Sequence, residues 1–162
     1  AIVLKQRPDV FFAMAGEGST AYRGELDEQI RRLGIGHRVL FTGVVQRMPE
    51  FMHACDLVCI PSRSESFGRT IIEAFATRTP VIGTRVGGIP EIIDDGENGM
   101  LTEYNDSLAL ARKILQLLDD PAWCAKLAQN GFEKARRLYR AEPHQDRITA
   151  IVNDLLHSVA TA

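Results

Sequence analysis

The chain has 162 residues, 45% hydrophobic and 25% charged, with a formal net charge of −2 and a pI near 6.1. That length suits one domain with a real core, and the near-neutral balance gives no electrostatic case for nucleic acid or an anionic membrane surface. No apolar run approaches the ~18 residues of a membrane span, no secretory signal is read, and the odd set Cys55, Cys59 and Cys124 reads as free thiols in a reducing compartment such as the cytoplasm.

Residues 1–6 read as the last turns of a helix, and a start at Ala1 rather than Met reads as an excerpt of a longer chain. Pro8 and Asp9 end that helix. Residues 10–15, all apolar, predict a parallel strand covered on both faces. Gly16-Glu-Gly18 closes the strand in a glycine turn; as half of a dinucleotide fingerprint it is weak, and a turn that simply needs positive φ explains it as well. Tyr22, Leu26, Ile30 and Leu33 lie at helical spacing and predict an amphipathic helix over 20–33. A second strand follows over 38–42, closed by Gly43. Val44 and Val45 suit contact with a flat ring and suit core packing equally. Pro49 opens a short helix running to about residue 54.

The most informative stretch is 56–76. Residues 57–60 form a short apolar run of buried-strand length, stopped by Pro61, which has no N–H to donate to a ladder. A small, polar loop covers 62–66. Gly68 then leads into a helix from Thr70 to Ala76, with Ile71, Ile72 and Phe75 as its apolar face and Ser66 as the expected N-cap. A strand, a tight loop and a helix start make an anion site: the first-turn N–H groups near Phe67, Gly68, Arg69 and Thr70 lack intrahelical partners and carry the positive end of the helix dipole. Glu65 and Glu73 bracket this turn. Solvated surface carboxylates are the plain alternative, although the apolar neighbours of Glu73 argue for a role.

Beyond it, residues 81–84 read as a strand, Gly87-Gly88 as a flexible turn, and Pro90 as the first position of a short helix over 91–93. Residues 94–99 are a turn and 100–102 a last short strand. Asp106 caps a helix over 107–118, a second runs from 122 to 139, and a final one covers about 145–159. Alternating strands and helices with near-continuous apolar strands define an α/β domain: a doubly wound, mostly parallel, Rossmann-like sheet with helices on both faces and a helical C-terminal segment.

Pro61-Ser-x-x-Glu65-x-Phe67-Gly68 followed by Ile72-Glu73-Ala74 resembles the sugar-nucleotide signature of the retaining, GT-B-type "group 1" glycosyltransferases, in which two Glu stand at this spacing. Ser66 takes the place of that family's usual Gly. Gly87-Gly-Ile-Pro-Glu91, followed by Asp95-Gly-Glu-Asn-Gly99, matches the same family in order and distance. The resemblance covers nearly the whole chain and implies the C-terminal, donor-binding half of such an enzyme, with the acceptor domain and the first strand absent.

The implied reaction passes a sugar from a nucleotide-diphosphate donor to an acceptor hydroxyl, with retention of configuration, in polysaccharide biosynthesis. Glu65 is implied as the catalytic-site carboxylate that holds the sugar hydroxyls, and Glu73 as the one that takes the ribose diol. Gly16 and Gly18 would lie close to the donor, Val44 and Val45 against its base, and Ser66, Phe67, Gly68, Arg69 and Thr70 around its diphosphate. The Gly87-Gly88 loop would abut the transferred sugar. The family's Arg and Lys phosphate clamp would precede Ala1, so catalysis by this chain alone is not expected. Arg63, Arg69 and Arg85 are nearby cations that can meet a phosphate or stay solvated.

No cofactor is implied beyond the donor, and the chain has no Asp-x-Asp motif or His cluster to suggest a resident metal. The partners implied are a nucleotide-sugar donor and a glycan, lipid or small-molecule acceptor held by the other domain; a peripheral membrane association of the full-length enzyme stays open. Two other readings fit the element pattern: a sugar-nucleotide epimerase of GT-B architecture, and a non-catalytic nucleotide-binding or regulatory α/β domain. The doubly wound order 3-2-1-4-5-6 makes one further expectation. With the first strand absent, the strands at 10–15 and 57–60 should flank an unfilled lane.

Overall fold

The computed structural model describes residues 1–139; the helix expected near 145–159 lies outside them. A 3₁₀ turn, Val3–Lys5, opens the chain where a longer helix tail was expected. Five strands follow in order: β1 (Phe12–Ala15), β2 (Val39–Gly43), β3 (Val58–Ile60), β4 (Val81–Thr84) and β5 (Met100–Thr102). The helices are α1 (Thr20–Leu33), α2 (Met48–His53), α3 (Arg69–Ala76), α4 (Ile89–Ile92), α5 (Ser107–Asp119) and α6 (Pro121–Leu138). Pro90 stands one residue inside α4, which begins at Ile89 instead of the expected position 91. Asp106 and Asp120 cap α5 and α6 by accepting the N–H of Ala109 at 2.8 Å and of Trp123 at 2.9 Å.

The strands pair in parallel throughout, but as two sheets. β1 pairs with β2, and β3, β4 and β5 form the second sheet with β4 in the centre. β1 and β3 do not pair with each other, as expected for strands on either side of an unfilled lane.

Side-chain alternation distributes the core over the two faces of the β3-β4-β5 sheet. Val58, Ile60, Val81 and Leu101 face one cluster with Ile71 and Phe75 of α3, Ile89 and Ile92 of α4, and Ala135 of α6. Leu57, Cys59, Ile82 and Met100 face the other, with Ile114 and Leu117 of α5, Leu127 of α6, and Val3. Every residue of β4 and β5 is buried, as the continuous apolar runs predict.

The β1-β2 sheet departs from expectation. Its apolar strand was expected to be covered on both faces, yet Ala13, Met14 and Ala15 are exposed. Val10 and Phe12 reach the second cluster, whereas Phe11, on the opposite side of the strand, is 67% exposed. Leu40 of β2 is also exposed, and α1 buries no residue; its Arg23 guanidinium instead stacks 3.5 Å from the Phe41 ring centroid. The physical reason is missing cover: α1 buries no residue against this sheet, and Met14, on the same side as Phe12, is exposed together with Ala13 and Ala15 on the other, so the end of β1 is open on both faces.

Candidate functional site

The sequence-predicted residues fall into two groups, each at the C-terminal end of a strand. At the ends of β1 and β2, the Gly16 N–H donates to the Gly43 carbonyl at 2.8 Å, which joins the two glycine turns side by side. Gly16 adopts φ +112 and Gly43 φ +65, so both turns do need glycine. Gly18 and Val44 are exposed and Val45 is half-buried, which leaves a partly apolar ledge beside the turns.

The second group is built around the start of α3. Thr84, buried on β4, donates its hydroxyl to the Ser62 carbonyl at 2.6 Å and fixes the base of the loop after β3. The loop then closes on itself through Glu65. Its Oε1 accepts the N–H of Gly68 at 3.1 Å and of Phe67 at 3.4 Å. Gly68 is the N-cap, at φ +93, and no side chain caps the helix in the usual way; the first turn closes as Ile71 N–H donates to the Gly68 carbonyl at 3.0 Å.

Ser66 is therefore not the N-cap. The left-handed turn at Gly68 delays the helix to Arg69, and Glu65 takes the donors that the Ser66 hydroxyl was expected to take. A Cβ at Gly68 would press within 3.2 Å of both Ile71 Cδ1 and Ile92 Cδ1, so the approach is tight from the core side. Phe67, half-exposed, sets its ring edge-on to Tyr139 with centroids 6.2 Å apart.

Glu73 is exposed and makes no ion pair among the described residues. Its apolar neighbours in sequence do not surround it in space: helical periodicity turns Ile71, Ala74 and Phe75 into the core and Glu73 outward with Thr70. Arg63 and Arg69 are likewise exposed. Arg85 is committed elsewhere, to Asp95 at 3.1 Å and Glu103 at 3.2 Å, which removes it from the set of cations for an anion at α3. No hydrogen bond links the glycine-turn group to the α3 group among the described residues.

Sequence reasoning missed the bracing of this loop. Gly88 N–H donates to the Glu65 carbonyl at 3.1 Å, and the Thr84 contact holds Ser62; both are long-range contacts with no local pattern to reveal them. It also missed the buried Asn98, whose amide accepts from Asp94 N–H at 2.9 Å and donates to the Ile92 carbonyl at 3.3 Å, tying off α4. The turn signal Asp-Gly-x-Asn-Gly was the available clue. The cysteines are free, and burial pushes the Cys59 thiol up to about 12.

Parallel strands, helices on both faces of the main sheet and loops gathered at strand ends define a Rossmann-like α/β domain of the GT-B type. The chain belongs to the group 1 glycosyl transferases, whose family pattern it matches over residues 1–134. It is 36% identical over 127 residues to the N-acetyl-alpha-D-glucosaminyl L-malate synthase of Bacillus anthracis, covering 78% of this chain and 33% of that protein. Anabaena HepE, solved with UDP and also with UDP-glucose, superposes with a TM-score of 0.88 at 32% identity in its UDP complex, over 94% of this chain and 44% of HepE. The isolated C-terminal domain of the group 1 family protein LpcC from Francisella tularensis superposes with a TM-score of 0.80 at 32% identity, over 86% of this chain and 75% of that one. The chain thus spans a third to under half the length of the first two relatives. Among the described residues, no helix is long and apolar enough to cross a membrane.

Proposed function

We propose that this chain is the donor-binding half of a retaining glycosyltransferase, which moves a sugar from a nucleotide-diphosphate donor to an acceptor hydroxyl. One observation carries the reading. Two carboxylates of different standing bracket the N-terminus of α3: Glu65, tethered through one oxygen to the helix start, and Glu73, free and solvent-facing about one turn into the helix. Glu65 Oε2 makes no hydrogen bond among the described residues and is available to accept from a sugar hydroxyl. Glu73, with no competing cation, takes the ribose diol of the nucleotide. That HepE was solved with UDP and UDP-glucose supports a nucleotide sugar as the ligand class.

Bond breaking leaves negative charge on the diphosphate, and a helix N-terminus stabilises charge that develops there. Glu65 already holds the N–H groups of Phe67 and Gly68, so the phosphate falls to those of Arg69 and Thr70, with the Arg69 side chain alongside. The glycine turns at Gly16 and Gly18 admit the donor close to the backbone, and Val44 and Val45 offer a ledge for the base. This reading draws its positive potential from the helix end and needs no resident metal; donor binding insensitive to EDTA is its expected consequence. The acceptor site and the strand that fills the lane beside β1 belong to a polypeptide segment outside this sequence, and the reaction is cytoplasmic.

The test is transfer by the polypeptide that joins this chain to an acceptor half. The anomeric proton coupling of the product, followed by NMR from an α-linked donor, is expected to report an α-linkage. A β-linked product contradicts retention.

A further inference from the structure

Two glycines of the loop between β4 and α4 are required by contact, Gly88 by contact alone and Gly87 by contact in addition to its backbone angle. Gly88 has φ −75, a value any residue adopts, yet a Cβ there would lie 2.7 Å from the Ser66 carbonyl oxygen and 3.1 Å from Phe67 Cα. At Gly87 (φ +51) an Asn or Asp would tolerate the angle, but a Cβ would lie 1.7 Å from the Glu65 carbonyl oxygen. Gly96, by comparison, has φ +81 and nothing within 4 Å of its Cβ position.

The turn at 87–88 therefore lies flush against the peptide units of Glu65 and Ser66, and Gly88 N–H donates to the Glu65 carbonyl at 3.1 Å. With Thr84 on Ser62 at 2.6 Å, the β4–α4 crossover grips the β3–α3 loop at both ends of its polar segment. Inside that grip, Glu65 is the residue whose main chain is held from one side and whose carboxylate is held from the other, by Gly68 and Phe67.

We propose that Gly87 and Gly88 are positioning residues for Glu65. They let a neighbouring crossover close onto the Glu65 peptide and so fix where its free carboxylate oxygen points. The functional consequence rests on the donor-binding reading above; the geometric one does not. A methyl group at residue 87 forces the Glu65 carbonyl back from 1.7 Å to at least 3.0 Å. A displacement of that order suffices to misplace a group that must meet a ligand hydroxyl.

The experiment has a ligand-free arm and a ligand arm. In ligand-free amide NMR spectra, G87A is expected to shift the Phe67 and Gly68 resonances, which report the Glu65 carboxylate, while G96A, with a similarly unfavourable angle but no contact, leaves them in place. In the unsubstituted chain the Gly88 amide is expected to be protected from hydrogen exchange together with Gly68, an arm that survives if G87A fails to fold. Phe67 and Gly68 resonances unmoved in folded G87A, or a Gly88 amide that exchanges freely, overturn the brace.

In the ligand arm, G87A is expected to lose about tenfold in affinity for UDP-glucose while holding its affinity for UDP, because only the sugar hydroxyl contact is misaimed. Equal losses for both ligands overturn the positioning role. No binding of UDP, GDP or ADP, or of their glucose conjugates, to the unsubstituted chain contradicts the donor reading and leaves the ligand-free arm to decide the brace.

Discussion

Gly131 of α6 lies so close to Phe75 of α3 that a Cβ on it would stand 2.6 Å from Phe75 Cδ1. Phe75 is fully buried, so its ring has no open side to move into. The contact is where α6 packs on α3, which carries the helix-start donors at its first turn and Glu73 in its middle, so Gly131 sets how closely the two helices seat.

G131A tests this seating. Overpacking a tight core costs about 1–3 kcal/mol, and replacing a helical glycine by alanine returns about 1 kcal/mol. The net expectation is a loss of about 1 kcal/mol in urea unfolding, with G131L markedly worse. A stabilised G131A would show that the two helices have slack between them.

Cys59 predicts an alkaline limb. Its folded value of about 12 lies above the ordinary 9.0 because burial disfavours the thiolate. Above pH 9 the unfolded chain loses this proton and the folded chain keeps it, so the folded state binds more protons and stability falls as pH rises. The slope from this one group approaches about 1.4 kcal/mol per pH unit between 9 and 12. C59A is expected to be less stable at pH 7 but to show a flatter decline of the urea midpoint from pH 8 to 10. Parallel declines in the two proteins would mean that Cys59 ionises freely in the folded state.

The lane expected between β1 and β3 makes a prediction about pairing. Among the described residues, β1 and β3 each present one unpaired edge, and apolar residues of β1 and β2 stand exposed. Free edges of this kind promote association. The chain alone is expected to self-associate in a concentration-dependent way, and a longer polypeptide that supplies the strand is expected to be monomeric, with β1 and β3 amides newly protected from hydrogen exchange. Direct β1–β3 pairing in the longer protein would contradict the proposed lane.

Much of this was legible in the residues. The continuous apolar runs at 57–60, 81–84 and 100–102 announced parallel strands, the last two buried throughout, and Asp106 announced its helix through the spacing to Ala109 N–H. The Glu65/Glu73 spacing located the loop on which the proposal rests. Three features were not legible, each for a different reason. Ser66 and Glu65 compete for the same donors, and only the left-handed turn at Gly68 decides between them. Arg85 looked free because its partners, Asp95 and Glu103, are ten and eighteen residues away on another turn and beyond β5. The bracing of Glu65 by Gly88 is a contact between two loops, which leaves no periodic trace.

Glu73 offers the most direct test of the central claim, because it is exposed and its loss leaves the core intact. The measurement is an amide NMR titration of the chain with UDP, GDP and ADP, repeated on E73A. For whichever nucleotide binds best, the account predicts shifts gathered over Gly68 to Glu73 and over the turns at Gly16 to Gly18 and Gly43 to Val45. It also predicts a 10- to 150-fold weaker affinity in E73A, the scale of about 1.5–3 kcal/mol for a charged hydrogen bond. Shifts located elsewhere, or an E73A affinity equal to that of the unsubstituted chain, would contradict it.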